Sequence, residues 1–455
     1  MLEKRKYLTM IFIIIILLTG CKVNEQKNIE NKMNEFLSLY NKNTEDSFSG
    51  SILIAKDKDV IYKESFGMAD YENEIKNSAD TIFPIGSITK SFTSVSILQL
   101  KEEGKIDLDD KISKYIGDLN NKQNITIHQL LTHSSGLQKE GLYSIEQHVP
   151  LDKNIDFIKK PPLLFNPGQN FSYSNAGYIM LAKIIEEVSG VSYNKYIEEN
   201  IFKPLEMNNS FCGVDNNLIE NQAVGYNLDN KNPIKLPLYN LSIVTGSGNI
   251  YSNVEDMQKY ISGLLNGKLI SEESLNRIKD NQLGNTEDGY SYGFFLNNRY
   301  DKKNIYHSGH IGNGGYNSLI KIFPDENYYM IYLTNNDNYE PLLITSQILE
   351  AILFEKEYAL PKLENETELS EKELKNYKGD YLFDEVQKIS VLYKEGYLYT
   401  TSDDGSLNKL IPSENNEFYV ENHPLIRVKF LENENSYIFR IINVTNVIEG
   451  IKINN

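Results

Sequence analysis

Residues 83–102 read FPIGSITKSFTSVSILQLKE. The mostly apolar run, which closes on Gly104, predicts a buried helix with Ser87 at its start and Lys90 three residues on. Residues three apart are neighbours across one helical turn, so the two side chains share a face. A serine in this place is often only a helix cap. It becomes a nucleophile when a base takes its proton, and a helix N-terminus favours the negative charge that develops.

The spacing Ser-x-x-Lys is weak by itself, because it occurs four times in the chain. The other matches begin at Ser192, at a helix boundary, at Ser318, in a predicted strand, and at Ser406, after a glycine turn. Only Ser87 opens a long apolar helix. A dry site around Lys90 would favour the neutral amine and strengthen hydrogen bonds to a reacting centre.

The segments around this helix indicate an antiparallel sheet. Gly50–Ala55 and Val60–Phe66 flank a polar turn and predict a hairpin, and strand patterns return at Asn317–Phe323 and Tyr328–Asn335. Between them, Asp107–Tyr239 has a helical pattern with many loops. The predicted fold class is α/β (α+β), an antiparallel sheet flanked by helices with an inserted all-helical lobe.

A second, smaller domain is predicted at the C-terminus. Short β-rich runs follow one another there at about ten-residue spacing, separated by turn residues, which is typical of a small antiparallel sheet or barrel. The predicted organisation is a signal peptide at 1–20, a tether at 21–28, the sheet-and-helix domain at 29–355, an acidic linker at 356–369 and the β-rich domain at 370–455.

The N-terminus predicts export from the cytoplasm. Charged residues precede the apolar run Tyr7–Leu18, which is shorter than the roughly 20 residues that span a bilayer as a helix. Leu18-Thr19-Gly20-Cys21 resembles the lipobox of bacterial lipoproteins, in which the cysteine carries a diacylglyceryl chain. This implies a membrane anchor through Cys21; an ordinary signal peptide with an incidental cysteine is the alternative. Either implies an extracytoplasmic protein.

Composition excludes several other classes. Lys and Arg total 46 against 63 for Asp and Glu, a net charge of −17, which argues against nucleic-acid partners. Two cysteines cannot form a disulfide framework, and Cys212 is interpreted as a small buried hydrophobe. His128 and His133 are interpreted as structural, because no further ligand lies near them in the sequence. Neither a metal nor a cofactor is predicted.

Four segments in order carry a family resemblance. They are FPIGSITKSFTS (83–94), ITIHQLLTHSSGL (125–137), PGQNFSYSNAGY (167–178) and HSGHIGNGG (307–315). Together they resemble the signature of the serine β-lactamase and penicillin-binding-protein superfamily, and most of all its branch of class C β-lactamases, DD-peptidases and esterases. The resemblance covers roughly residues 30 to 355 and implies a β-lactamase/transpeptidase-like fold.

The resemblance assigns roles to the first and third segments. It implies that Ser87 is the acylated nucleophile and Lys90 its proton-handling partner. Tyr173 would act as a base or pass a proton to the leaving group, and Asn175 would hold Lys90 and the substrate amide. An ionised Tyr173 needs its pKa lowered by about 3 units, which the charge of Lys90 would have to supply. Whether Lys90 or Tyr173 is the base stays open.

The fourth segment places His307, Ser308 and Gly309 where the family has Lys-Thr-Gly. By analogy these residues edge the substrate site, and the backbone N–H groups of Ser87 and His310 form the oxyanion hole. Lysine at the first position is typical of β-lactamases, whereas histidine is familiar from DD-peptidases, D-aminopeptidases and esterases of the superfamily. The histidine puts efficient β-lactam hydrolysis in doubt.

Three functions follow as hypotheses. The first is an extracytoplasmic serine acyl hydrolase that forms an acyl-enzyme on Ser87, acts on D-amino-acid peptides or esters and binds penicillin. The second is a true β-lactamase, which requires fast deacylation. The third is a lipoprotein without turnover that binds peptidoglycan, teichoic acid or a protein partner.

Overall fold

The computed structural model divides the chain into two compact units. One, the sheet unit, is Phe48–Leu342, and the other, the barrel unit, combines the residues up to Ser47 with those from Leu343 onward. The described residues are 26–44, 47–117, 119–140, 148–213, 219–228, 232–284, 288–361, 367–383, 387–401, 406–413, 417–433 and 436–453. The predicted signal peptide and Cys21 lie outside them.

Within its described residues, the sheet unit is built on a seven-stranded sheet whose neighbouring strands all run antiparallel. In spatial order the strands are Gly289–Tyr290, Phe295–Arg299, Lys302–Ile311, Tyr316–Phe323, Tyr328–Thr334, Gly50–Lys56 and Asp59–Phe66. The predicted hairpin and the two later strands are confirmed. Because the strand that begins the unit pairs with the strand Tyr328–Thr334, residues distant in sequence are held in one sheet.

Helices make up much of the rest of the described sheet unit. They are Thr89–Glu102, Ile127–Leu131, Leu151–Ile158, Asn175–Ser189, Tyr193–Ile197, Lys203–Leu205, Val254–Leu265 and Glu272–Lys279. Short 3₁₀ helices are found at Gly86–Ile88, Ile112–Lys114 and Leu241–Val244, and a π-helix at Glu198–Phe202. Short strands complete the unit: Met68–Asp70, Ile75–Lys76, Phe83–Pro84, Phe211–Cys212, Tyr226–Asn227, Ile234–Lys235 and Ile250–Ser252. The lobe predicted to be all-helical therefore also contains short strands: Phe211–Cys212 pairs with Ile250–Ser252, and Tyr226–Asn227 pairs with Ile234–Lys235.

Two helices form the centre of this core. Thr89–Glu102 is buried on nearly every side, and its Phe92 stacks on Tyr260 with ring centroids 3.7 Å apart. Asn175–Ser189 packs against it and ends at Gly190, whose φ of +75° makes it the expected left-handed C-cap. These two helices present the residues of the first and third sequence segments to each other.

Among its described residues, the barrel unit contains a closed barrel. The sequence predicted either a small antiparallel sheet or a barrel here. Its antiparallel strands are Gly379–Phe383, Gln387–Lys394, Tyr397–Thr401, Leu407–Pro412, Glu417–Val420, His423–Asn433, Ser436–Asn443 and Asn446–Ile453. The helices are residues 26–43, Glu340–Leu353, most of which belongs to this unit, and Glu371–Tyr377. Ser370 and Glu373 form the predicted capping box.

Stacked rings fill the barrel, with Phe430 packed between Tyr377 and Phe439. The fold class predicted from the sequence is confirmed. Of the helices in the described ranges, none is long and apolar enough to cross a membrane.

Candidate active site

Ser87 lies in the tight turn Gly86–Ile88 that leads into the helix Thr89–Glu102. Neither element has a side-chain hydrogen bond at its N-cap, so Ser87 is not a helix cap. Gly86 has a φ of +50°, and a Cβ added to it would lie 3.0 Å from the backbone nitrogen of His310. The glycine thus allows the fourth sequence segment to approach the serine closely.

Lys90 is fully buried beneath Ser87 and makes three hydrogen bonds. Its Nζ hydrogen-bonds to Ser87 Oγ at 3.0 Å, and it donates to Asn175 Oδ1 at 2.7 Å and to the carbonyl oxygen of Ser247 at 2.8 Å. Burial holds the pKa of the Lys90 amine well below its usual value, because the charged form loses its hydration, and the negative charge of Glu140 partly opposes this shift. The arrangement favours a neutral amine beside the hydroxyl.

The other Ser-x-x-Lys matches have structural roles. Ser192 caps the helix Tyr193–Ile197 by accepting a hydrogen bond from Lys195 N. Ser318 lies in a strand and donates to the carbonyl oxygen of Ile85. Lys409, three residues after Ser406, forms an ion pair with Glu421 at the surface. Of the four serines in this spacing, Ser87 is the one that lines the cleft.

The third segment brings Tyr173 and Asn175 to the same place. Ser174 caps the helix Asn175–Ser189, which fixes Asn175 at its first turn, with Oδ1 on Lys90 and Nδ2 donating to Glu140 Oε2 at 2.9 Å. The ring of Tyr173 has its centroid 4.8 Å from Lys90 Nζ. Burial raises the pKa of Tyr173, and a hydrogen bond with Ser87 only partly offsets that effect. The phenol is therefore protonated at neutral pH, so the structure does not give it the lowered pKa that an ionised tyrosine base requires.

His133 clamps the backbone on both sides of Tyr173. Its carbonyl oxygen accepts from Ser172 N at 2.9 Å and its Nδ1 accepts from Ser174 N at 3.0 Å. The imidazole lies against the tyrosine ring, with centroids 4.4 Å apart. Burial lowers the pKa of His133 well below its usual value, so it is a neutral structural residue that positions the tyrosine.

Residues 307–311 of the fourth segment lie in the strand Lys302–Ile311, which borders the site. A Cβ on Gly309 would lie 2.1 Å from the carbonyl oxygen of Ile85, so only glycine permits this approach. His307 is buried, and its Nδ1 hydrogen-bonds to the carbonyl oxygen of Ser308 at 2.7 Å. Burial, with the nearby Lys90, lowers the pKa of His307 to about 3. The imidazole is thus neutral and supplies no fixed charge.

A cleft of about 550 Å³ opens over these residues. Its lining joins residues of the first, third and fourth sequence segments to Lys139, Glu140, Phe295 and side chains from the 239–244 region. The lining residues are Ser87, Lys139, Glu140, Tyr173, Asn175, Tyr239, Leu241, Ile243, Val244, Phe295, His307, Ser308, His310, Ile311, Gly312 and Asn313. Sequence reasoning missed Glu140 and the Ser247 carbonyl group. Glu140 stands three residues after the SSGL turn in a polar stretch without a periodic pattern, and a backbone acceptor leaves no mark in the side-chain sequence.

Two further residues singled out in the sequence, His128 and Cys212, do not line the cleft. His128 Nδ1 hydrogen-bonds to the Tyr292 hydroxyl at 2.9 Å, and no cluster of metal-ligating side chains exists among the described residues. Cys212 is a free thiol packed against the main core, and burial raises its pKa.

Sequence comparison agrees with this geometry. The Beta-lactamase family model matches residues 29–350. Protein flp of Staphylococcus aureus (strain MRSA252) is 32% identical over 309 residues, covering 65% of this chain and 61% of that protein. The chain therefore spans less than two thirds of the length of this relative.

Two solved structures share the fold. The penicillin-binding protein of Bacillus halodurans superposes with a TM-score of 0.58 at 27% identity, over 66% of this chain and 95% of that one. The octameric penicillin-binding protein homologue of Pyrococcus abyssi gives a TM-score of 0.59 at 28% identity, over 88% and 95%. The chain belongs to the Beta-lactamase family, and the resemblance inferred from the four segments is confirmed.

Proposed function

We propose that the protein is a serine acyl hydrolase that works through an acyl-enzyme on Ser87. The observation that carries the proposal is the 3.0 Å hydrogen bond between Lys90 Nζ and Ser87 Oγ, with the amine buried and its pKa lowered. A neutral amine at this distance can accept the hydroxyl proton as the oxygen attacks a carbonyl carbon.

The other residues of the cleft supply the remaining steps. As the Ser87 Oγ–carbon bond forms, the proton moves to Lys90 and negative charge develops on the carbonyl oxygen, where the N–H groups of Ser87 and His310 are its donors. The protonated phenol of Tyr173 gives its proton to the leaving group as that bond breaks and is reprotonated from Lys90. Water then hydrolyses the ester, with the same groups moving its proton in reverse.

The proposed substrates are D-amino-acid peptides or esters, with penicillin as an acylating analogue. The likeness to a solved penicillin-binding protein at 27% identity and to a penicillin-binding protein homologue at 28% supports penicillin as an acylating analogue. A true β-lactamase is less well supported, because the buried neutral His307 offers no full positive charge to a substrate carboxylate. A non-catalytic binder has no need for a buried amine aimed at a hydroxyl.

We also propose that the protein is extracytoplasmic and anchored through a lipid on Cys21. The support is the order of charged, apolar and small residues in 1–21. Metabolic labelling with an alkynyl fatty acid should mark the wild-type chain in the membrane fraction. A Cys21→Ser chain that is still labelled would overturn the anchor.

The test of the enzymatic proposal compares two serines that share the Ser-x-x-Lys spacing, Ser87 and Ser192. The chain is incubated with a fluorescent penicillin and with a fluorophosphonate, and adducts are measured by intact mass. Ser87→Ala should abolish both adducts, whereas Ser192→Ala should keep them, because Ser192 is a helix cap. Rapid release of opened β-lactam would instead support the lactamase, and a wild-type chain that forms no adduct with either probe would support the binder.

A further inference from the structure

Glu140 is a carboxylate in the cleft that the proposed chemistry does not use. It is half-buried and lines the cleft beside Asn175, whose Nδ2 donates to its Oε2 at 2.9 Å. Among the residues that the structure describes, no lysine or arginine forms an ion pair with it. A carboxylate held in place by an amide, with no cation against it, can bind one from a ligand.

The position of Glu140 relative to Ser87 limits which part of a substrate it can reach. Hydrogen bonds link Ser87 Oγ to Lys90, Lys90 to Asn175, and Asn175 to Glu140, at 3.0, 2.7 and 2.9 Å. Only the side chains of Lys90 and Asn175 therefore separate the Glu140 carboxylate from the attacking Ser87 Oγ in this chain of hydrogen bonds. The group nearest to the scissile carbonyl in an amino acid is the α-amino group, one carbon away.

The charge of the cleft also selects against other ligands. On the strand side His307 is buried and neutral, and Lys90 is covered by Ser87, Asn175 and the Ser247 carbonyl group. Lys139 is the other charged residue of the lining and is exposed at the rim. A substrate with a blocked amino group would place a carbonyl oxygen, which is electron-rich, near the Glu140 carboxylate.

We propose that Glu140 binds the free α-ammonium group of the acyl donor, so that the enzyme prefers unblocked aminoacyl esters or amides to N-acylated ones. This inference rests on the proposed acyl-enzyme chemistry at Ser87 and narrows its substrate class. The ammonium would donate to the carboxylate oxygen that Asn175 does not hold, and the α-carbon would then carry the carbonyl group toward Ser87 Oγ.

The test compares D-alanine methyl ester with N-acetyl-D-alanine methyl ester, with hydrolysis followed by mass spectrometry. The measured quantity is the ratio of kcat/KM for the free and the acetylated ester. Glu140→Gln keeps an acceptor for Asn175 but removes the charge, so this ratio should fall about ten- to a hundredfold, as expected for loss of a hydrogen bond to a charged group. Glu140→Asp should recover part of the ratio, and the exposed strand residue Glu64, changed to Gln, is the control for an unrelated lost charge.

The outcomes distinguish this inference from the proposed function. A wild-type ratio near one, or a ratio that Glu140→Gln leaves unchanged while the fluorophosphonate still labels Ser87, overturns the role of Glu140 alone. If Ser87 is labelled by neither probe, the acyl-enzyme and the role of Glu140 both fall. Melting temperatures of the variants separate a lost preference from a misfolded chain.

Discussion

Replacing Gly309 by alanine tests how closely the strand Lys302–Ile311 approaches the turn that carries Ser87. The added Cβ would lie 2.1 Å from the carbonyl oxygen of Ile85 and 2.3 Å from Ser318 Oγ. Real Cβ atoms essentially never approach another heavy atom closer than 3.0 Å, so the strand and the turn must separate by at least about 0.9 Å. Ile85 O is a backbone atom two residues before Ser87 and cannot rotate away.

The separation has a predictable effect on stability and a larger one on catalysis. Overpacking of a dense interior costs about 1–3 kcal/mol. A displacement of the reacting groups by about 1 Å can cost roughly a hundredfold in rate, and the movement here would carry His310 N away from Ser87. We therefore expect Gly309→Ala to lose about two orders of magnitude in kcat/KM while most of the chain remains folded at 25 °C.

The assay is hydrolysis of p-nitrophenyl acetate per folded molecule, with the folded fraction taken from thermal unfolding. Gly117→Ala is the matched control, because a Cβ there meets no atom within 4 Å. Adding Ser318→Ala to Gly309→Ala removes only the side-chain clash and should not restore the rate. A Gly309→Ala enzyme with wild-type kcat/KM would refute the close approach of strand and turn.

Three further changes have expected results. With an uncharged ester, kcat/KM should rise with pH as Lys90 loses its proton at its lowered pKa. Because the charge of Glu140 raises that pKa, Glu140→Gln should move this rise to lower pH. A rise that moves to higher pH would contradict the assignment. Ser370→Ala breaks the capping box in the barrel unit and should lower the free energy of unfolding by about 1 kcal/mol, without changing ester hydrolysis, as measured by urea denaturation. Phe92→Ala removes the ring stacked on Tyr260 and should cost about 3–5 kcal/mol by the same measurement, whereas a loss below about 1 kcal/mol would show that the core closes around the gap.

The apolar periodicity of the sequence is sufficient to predict the helix that carries Lys90, with Ser87 at its start. Residues three apart lie on one face of a helix, so local geometry determines the relative position of Ser87 and Lys90. Closure of the C-terminal strands into a barrel depends on pairing between residues distant in sequence, and short β-rich runs leave that pairing open.

Glu140 and the carbonyl group of Ser247 illustrate why the site was only partly predictable. Neither is part of a periodic element. Each reaches the site because a loop is held in place by tertiary contacts, such as the hydrogen bond from Asn175 N to the carbonyl oxygen of Lys139. Both nevertheless act on Lys90: the charge of Glu140 opposes the lowering of its pKa, and the Ser247 carbonyl oxygen accepts a hydrogen bond from its Nζ.

In the proposed mechanism, burial favours Lys90 over Tyr173 as the general base. A phenolate at Tyr173 with an ammonium at Lys90 would place charges on two largely buried groups, and burial shifts the pKa of each in the direction that favours its neutral form. With both groups neutral, Lys90 already has its nitrogen 3.0 Å from Ser87 Oγ, and no charge exists until the hydroxyl proton moves. The ammonium that then forms has Asn175 Oδ1 and the Ser247 carbonyl oxygen as acceptors, and the charge of Glu140 lies beyond the asparagine. The same surroundings that keep Lys90 neutral at rest therefore stabilise its charge once the oxyanion has formed, which is the behaviour required of a general base.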